Sequence, residues 1–246
     1  MEREVYDRMA RLEDRHWWFL ARRTIIDKMI DVRLGLPRGA KILEAGCGTG
    51  GNLRMLSHHG EVLAMEPDLQ AREMAARKCA VKLEEGFLPG EIPFPGKTFD
   101  LIVALDVMEH VEEDLESLRR LLARLRPGGA VLLTVPALPL LWGRHDVLHH
   151  HKRRYTRATL ASLIEQAGGR IEYLSYFNAL LFPLIAGVRL MKKTLGIDAG
   201  NEDVMPPGWL NGTLRAIFAS ERHFMKVGRF PIGVSLLAIV RSPQTA

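Results

Sequence analysis

From Trp18 onward the apolar positions fall at 18, 22 (the aliphatic stem of Arg22), 25, 26, 29 and 30, one face of a helix, and the spacing predicts helix over residues 1–34. "LPRGA" breaks that pattern, and short apolar runs then alternate with helical segments. "KILEAG" predicts a strand and "NLRMLSHHG" a helix closed by glycine. "EVLAMEPD" predicts the next strand, and "LQAREMAARKCA" a helix with Asp68 placed to cap it. "VKLEEG" is a short strand, and "FDLIVALD" is apolar throughout, as in a parallel strand buried on both faces. "VEEDLESLRRLLARLRPGG" predicts a helix with Val111, Leu115, Leu118, Leu122 and Leu125 on one face and "RPGG" as its stop. "AVLLTVPA" is a strand, Thr156 can cap a helix over "RATLASLIEQAGG", and "RIEYLSYF" and "VSLLAIVRS" are the last two strands.

This alternation predicts an α/β fold, a doubly wound, largely parallel sheet with helices on both faces. The interval 178–233 between the last two strands is too long for a plain loop and holds two predicted helices, near 179–195 and 211–227. It is expected to form a helical cap within a single domain spanning 1–246, with 1–34 as an N-terminal helical cover.

Composition narrows the function classes. Hydrophobic content of 47% and charged content of 26% suit a globular chain long enough for one substantial core. A net charge of +5 permits anionic partners, but is also ordinary for a solvated surface. Two cysteines, Cys47 and Cys79, give no disulfide framework and suit a reducing compartment. The charged N-terminus lacks a signal-peptide core, and the longest apolar run, "ALLFPLIAGV", is shorter than the ~20 residues of a membrane span. A cytoplasmic protein is expected. Nucleic acid is disfavoured, since basic and aromatic residues interleave only at "KRRY".

The candidate chemistry begins at "ILEAGCGTGGN", residues 42–52, where four glycines follow a strand. Such a loop lets something approach the backbone closely. Gly46, Gly48 and Gly51 satisfy the dinucleotide spacing G-x-G-x-x-G, and Glu66 stands 20 positions after Gly46, where a ribose-binding acid belongs. Spacing alone therefore admits NAD. Cys47 reads as a small neighbour of the ligand, because nothing nearby would depress its pKa. Asp106, ending a strand, either contacts ligand or caps the next helix. His145, Asp146, His149 and His151 lack tight ligand spacing, and no metal is expected. Arg153 and Arg154 can clamp an anion or pair inside the fold. Trp17 and Trp18 are expected to pack over the cleft. The apolar stretch before Lys192 and Lys193 fits core packing, an acceptor pocket or a membrane surface.

"EAGCGTG" also reads as E-x-G-x-G-x-G and resembles motif I of the class I S-adenosylmethionine-dependent methyltransferases. "EPD" resembles their second-strand motif, "FPGKTFDLIVALDVMEHV" the stretch through their fourth strand, and "GVSLLAIVRS" their antiparallel seventh strand. "HWWFLARR" and the run from Asp146 through "HKRRYT" are similar to a bacterial group related to the ubiquinone O-methyltransferase type (methyltransferase type 11). The resemblance covers about residues 40–242 and implies a Rossmann-like seven-stranded sheet and S-adenosylmethionine as cofactor, with S-adenosylhomocysteine as product. It implies cofactor contacts from Arg23, Glu44, Gly46, Cys47, Gly48, Gly50 and Asn52. Glu66 with Pro67 would meet the ribose, Phe87 and Leu88 the adenine, where the family often has an acid, and Leu105 and Asp106 the end of the fourth strand. His110, His151 and Tyr155 are the implied catalytic candidates, with Trp18, Arg153 and Arg154 joining them toward the acceptor. That acceptor is expected to be a small molecule, lipid-linked or a glycan, methylated on oxygen, nitrogen or carbon, with peripheral membrane contact as one form. An NAD-dependent oxidoreductase and a non-catalytic S-adenosylmethionine-binding protein are the alternatives.

Overall fold

The computed structural model describes residues 3–90, 92–194 and 204–242. Among the described residues the strands are β1 (Ala40–Ala45), β2 (Gly60–Met65), β3 (Lys82–Glu84), β4 (Phe99–Leu105), β5 (Leu125–Pro136), β6 (Arg170–Phe177) and β7 (Ser235–Arg241). They form one sheet in the order β3-β2-β1-β4-β5-β7-β6, with β7 antiparallel to both neighbours and the other pairs parallel. The winding reverses between β1 and β4, which opens a crevice at the carboxyl ends of those strands.

Strand alternation divides the core. Ile42, Leu101, Val103, Leu132 and Ile239 face one helical layer, whereas Leu43, Ile102, Ala104, Leu133 and Val240 face the other. The second layer holds α5 (Asp114–Ala123) and α7 (Arg157–Gln166), whose Leu118, Leu121, Leu160 and Ile164 are fully buried. The first layer holds α2 (Trp17–Arg33) and α9 (Gly208–Met225). The buried face of α2 is Ala21, Arg22, Ile25, Ile26, Met29 and Ile30, as the spacing predicts. Trp17 meets Phe218 of α9 edge-on, with ring centres 6.0 Å apart, and Arg33 donates to the carbonyls of Met225 and Lys226 at the end of α9.

The 178–233 interval thus supplies elements with different roles. α9 is a sheet-covering helix, while α8 (Phe182–Thr194) lies at the crevice with Leu181, Leu184, Ile185 and Val188 on its wall. The side chains of Lys192 and Lys193 lie outside the described residues.

Three predicted elements differ from the observed ones. The stretch predicted as one helix forms two, α1 (Arg3–Leu12) and α2, the second capped by His16, which accepts from the Trp18 amide. The break lays α1 over the glycine loop. The helix predicted from Val111 begins at Asp114 and ends at Ala123, and Leu125 already pairs with Phe99 in the sheet. Arg124 explains the early end: its guanidinium reaches back to the carbonyl of Lys97 while its own carbonyl accepts from Phe99. The helix after the glycine loop is a single turn, α3 (Leu53–Leu56). Asp68 and Thr156 cap α4 (Leu69–Lys78) and α7 by accepting from Ala71 and Thr159 amides.

Candidate active site

A cavity of about 910 Å³ opens at the switch point. The loop after β1 forms its floor. The amides of Gly46 and Cys47 both donate to the Met65 carbonyl, tying the loop to β2. Gly46 has a φ of +73°, and a Cβ there would stand 2.7 Å from Val107, so only glycine fits. Gly48 also faces the cavity, and its amide donates to Glu66 Oε2 at 2.8 Å. The other Glu66 oxygen accepts from the Asp68 amide at 3.2 Å and from the Tyr6 hydroxyl at 3.4 Å. Burial pushes the Glu66 carboxyl up, against those amide hydrogen bonds.

Gly50 is placed differently from expectation. It faces α4, not the cavity, and a Cβ there would lie 2.8 Å from Ala75 Cα. Glu44 is likewise behind the cavity wall, fully buried and accepting from the Asn52 side chain at 2.9 Å. Burial raises its carboxyl to about 8, and its side-chain partner Asn52 does line the cavity. The Cys47 thiol is pushed far up by burial and by the Glu44 and Glu66 charges, which leaves it protonated and unsuited to be a nucleophile.

Asp106 directly follows β4 on the cavity wall, with a φ of +56°. It caps no helix: its carboxylate accepts from Arg22 at 2.7 Å and from Thr134 at 3.1 Å. Arg22 is consequently committed, with Trp18 stacked 5.0 Å from its guanidinium. Arg23 lines the cavity and donates to the Glu13 carbonyl and to Asp14. Pro67, Phe87, Leu88 and Leu105 are on the wall, as is Trp18.

The far end carries histidines. His110 lies 4.7 Å from His151, and His145 lies 4.1 Å from His149, measured between ring centres. Asp146 organises this end. It accepts from His151 Nδ1 and from Arg154 Nε, both at 2.8 Å. Burial alone would raise its carboxyl, but these bonds outweigh it and hold Asp146 well below the carboxylate range. Arg154 therefore pairs inside the fold. His110 is lowered to about 3, first by burial and then by His151 and His149, so it is neutral at neutral pH and a weak base.

Two predicted acceptor residues are not at this end. Tyr155 and Arg153 point to the opposite side, where the Tyr155 hydroxyl and the Arg153 guanidinium both donate to Asp114 at 2.8 Å. The bridge between Ala137 and Tyr155 fixes that orientation. Residues the sequence did not single out take part instead. Tyr6, Met9 and Glu13 come from α1 and the break after it, and Glu109 is fully buried beside His110. The "EH" pair on a strand's carboxyl end was the available signal for Glu109; nothing in the linear pattern marked Glu13.

A family model described as a methyltransferase domain matches residues 15–174. The chain belongs to the class I methyltransferases, a family that uses S-adenosylmethionine. Family membership, with β7 antiparallel, moves the glycine loop out of the dinucleotide class. Among similar methyltransferases, a "Probable S-adenosylmethionine-dependent methyltransferase" of Mycolicibacterium smegmatis is 28% identical over 165 residues, covering 65% of this chain and 62% of that protein. This chain thus spans less than two thirds of that relative's length. The demethylmenaquinone methyltransferase of Tropheryma whipplei is 27% identical over 181 residues, 70% of each chain. In solved structures, a chain from the complex of the Haloferax volcanii Trm112 methyltransferase activator with its methyltransferase superposes with a TM-score of 0.65. It is 16% identical and covers 99% of this chain and 96% of that one, a likeness of fold.

Proposed function

We propose that the protein transfers a methyl group from S-adenosylmethionine to a small-molecule acceptor with an apolar body. The observation that carries this reading is one cavity with two unlike ends, the glycine loop and Glu66 at one, the histidines and the aliphatic side of α8 at the other. The first end fits the cofactor. Gly46 and Gly48 present backbone without side chains, and Glu66 offers oxygens to a ribose diol in exchange for the long Tyr6 contact. Arg23 and Asn52 have donors for an amino-acid carboxylate, and Pro67, Phe87 and Leu88 make an apolar slot for adenine. When bound, the cofactor supplies a methyl group on a sulfonium, already activated for displacement. The chain's own residues then orient the acceptor and exclude water. Trp18 and α8 hold the apolar body, and His110 and His151 offer ring nitrogens to its polar end. The demethylmenaquinone relative's name agrees with a small-molecule acceptor. A cytoplasmic setting goes with this reading.

Calorimetric titration with S-adenosylhomocysteine tests it. Micromolar binding is expected, weakened at least ~10-fold in Glu66→Ala, the loss of about 1.5–3 kcal/mol for hydrogen bonds to a charged acceptor. Binding of NADH in its place would overturn the reading.

Exposed apolar side chains on and beside the acceptor side of the cavity favour a lipid-linked acceptor at a membrane surface. Leu184 on the cavity wall is more than half exposed, as are Met191 on the same helix and Leu140 and Val147 in the segment after β5, although no described helix is long and apolar enough to cross a membrane. Co-sedimentation with anionic vesicles at low salt should drop in the double variant Leu184→Glu, Met191→Glu. Equal recovery of both proteins would remove the membrane contact.

A further inference from the structure

We propose that Glu109, His110 and His151 form a binding site for a divalent metal ion of the zinc class, at the acceptor end of the cavity. One ligand atom from each lies within 4.8 Å of the others. Tetrahedral zinc with bonds near 2.1 Å places ligand atoms ~3.4 Å apart, so closure asks for a shift on the order of 1 Å. Two histidines and a carboxylate with an open fourth position are a donor set suited to zinc and its first-row neighbours.

A second observation points to a cation. Glu109 is completely buried, and neither of its carboxylate oxygens has a hydrogen-bond partner. A bare carboxylate in that position is costly, and a bound cation removes the cost. The site is also built from behind. Asp146 accepts a hydrogen bond from His151 Nδ1, which leaves Nε2 as the ring nitrogen open to a metal and fixes the ring's orientation, the usual outer support of a metal-bound histidine. Asp146 is in turn held by Arg154 and by the Gly143 amide. The two segments that bring the ligands together are joined by backbone: the Lys152 amide donates to the Glu109 carbonyl at 2.7 Å. The linear spacing hides this set, because His151 comes from the excursion after β5, and Glu109 and His110 from the turn after β4.

All three residues line the cavity, so an ion held by them would be open to the space assigned to the acceptor. There it would bind an acceptor oxygen and favour loss of its proton. That role rests on the methyltransferase reading; binding of the ion does not.

The test uses tag-free, chelator-stripped protein titrated with Zn²⁺ by calorimetry and with Co²⁺ by visible absorption. One ion per chain is expected, with micromolar affinity or tighter. Affinity should fall at least ~10-fold in His151→Ala and in Glu109→Gln, and by a similar factor in Asp146→Asn, while His223→Ala, exposed on α9, keeps it. Zn²⁺ should raise the melting temperature of the wild type but not of Glu109→Gln, which, metal-free, melts no lower than the wild type because it removes an unpaired buried carboxylate. No stoichiometric binding, or binding untouched by both Glu109→Gln and His151→Ala, overturns the proposal. S-adenosylhomocysteine titrated alongside separates the two readings, since its binding without metal binding sinks only the metal site.

Discussion

Glu44, Glu109 and Glu221 each bury a carboxylate oxygen with no partner among the described residues. Glu221 shows what this does to stability. It accepts from the amides of Ala179 and Leu180 at 2.7 and 2.9 Å, yet burial raises its carboxyl to about 7. An acid with a raised folded pKa contributes stability below its unfolded pKa, and that contribution is lost as pH climbs through the folded value. Stability should therefore fall between about pH 4.5 and 7, by up to ~3 kcal/mol for this group. Glutamine keeps the acceptor and cannot ionise, so urea denaturation of Glu221→Gln should show a shallower slope in that window. Glu44, raised to about 8, leaves part of the slope in place. Identical profiles for variant and wild type would remove Glu221 as a source. Gly50 makes a separate case. Gly50→Ala meets both a φ of +86° and Ala75, and should cost ~2 kcal/mol or more. Gly128→Ala, at φ +79° with open space around it, should cost only the ~1–2 kcal/mol of backbone strain. Equal losses would show that packing against α4 is not the reason for Gly50. The glycine motif was legible in the sequence, but which glycine serves the cavity and which serves α4 was not, because a motif records spacing and not direction.

α2 and α9 are far apart in sequence and form one layer in space. Arg33 joins them: its guanidinium donates to the last carbonyls of α9 and stacks 4.6 Å from the Tyr173 ring. Arg33→Ala should lower stability by ~1–3 kcal/mol, read by thermal melting, with S-adenosylhomocysteine affinity unchanged because the pair lies away from the cavity. A change in affinity without one in melting would contradict that. The strands were legible from alternation and apolar runs, and β6 coincides with "RIEYLSYF" residue for residue. Boundaries set by tertiary contacts were not. Leu125 is a plausible last turn of an amphipathic helix until the sheet claims it for pairing with Phe99. The break at Glu13–His16 has no glycine or proline to announce it; it is decided by Glu13 reaching Thr49 and Lys78.

At the scale of the molecule, the glycine-loop end of the cavity is walled by α1, the loop after β1 and the end of β2, so a ligand there would stabilise elements from separate parts of the chain. S-adenosylhomocysteine at 100 times its Kd should add about 2.7 kcal/mol, and for a chain of this size raise the melting temperature by roughly 5–10 °C. The same concentration should stabilise Glu66→Ala by no more than about 1.4 kcal/mol, half the wild-type shift, if its Kd is ~10-fold weaker. A wild-type protein that does not shift would exclude binding at this end. The sequence by itself determined the α/β winding, the glycine loop after the first strand, and the two caps at Asp68 and Thr156, because each depends on residues close together in the chain. Only the tertiary structure decided which side chains share the cavity. It turned Tyr155 and Arg153 toward Asp114, set Asp106 on Arg22, laid α1 over the loop, and brought Glu109 and His110 to His151. Those outcomes depend on which neighbours satisfy each buried polar group, and such neighbours come from distant segments that no local pattern encodes.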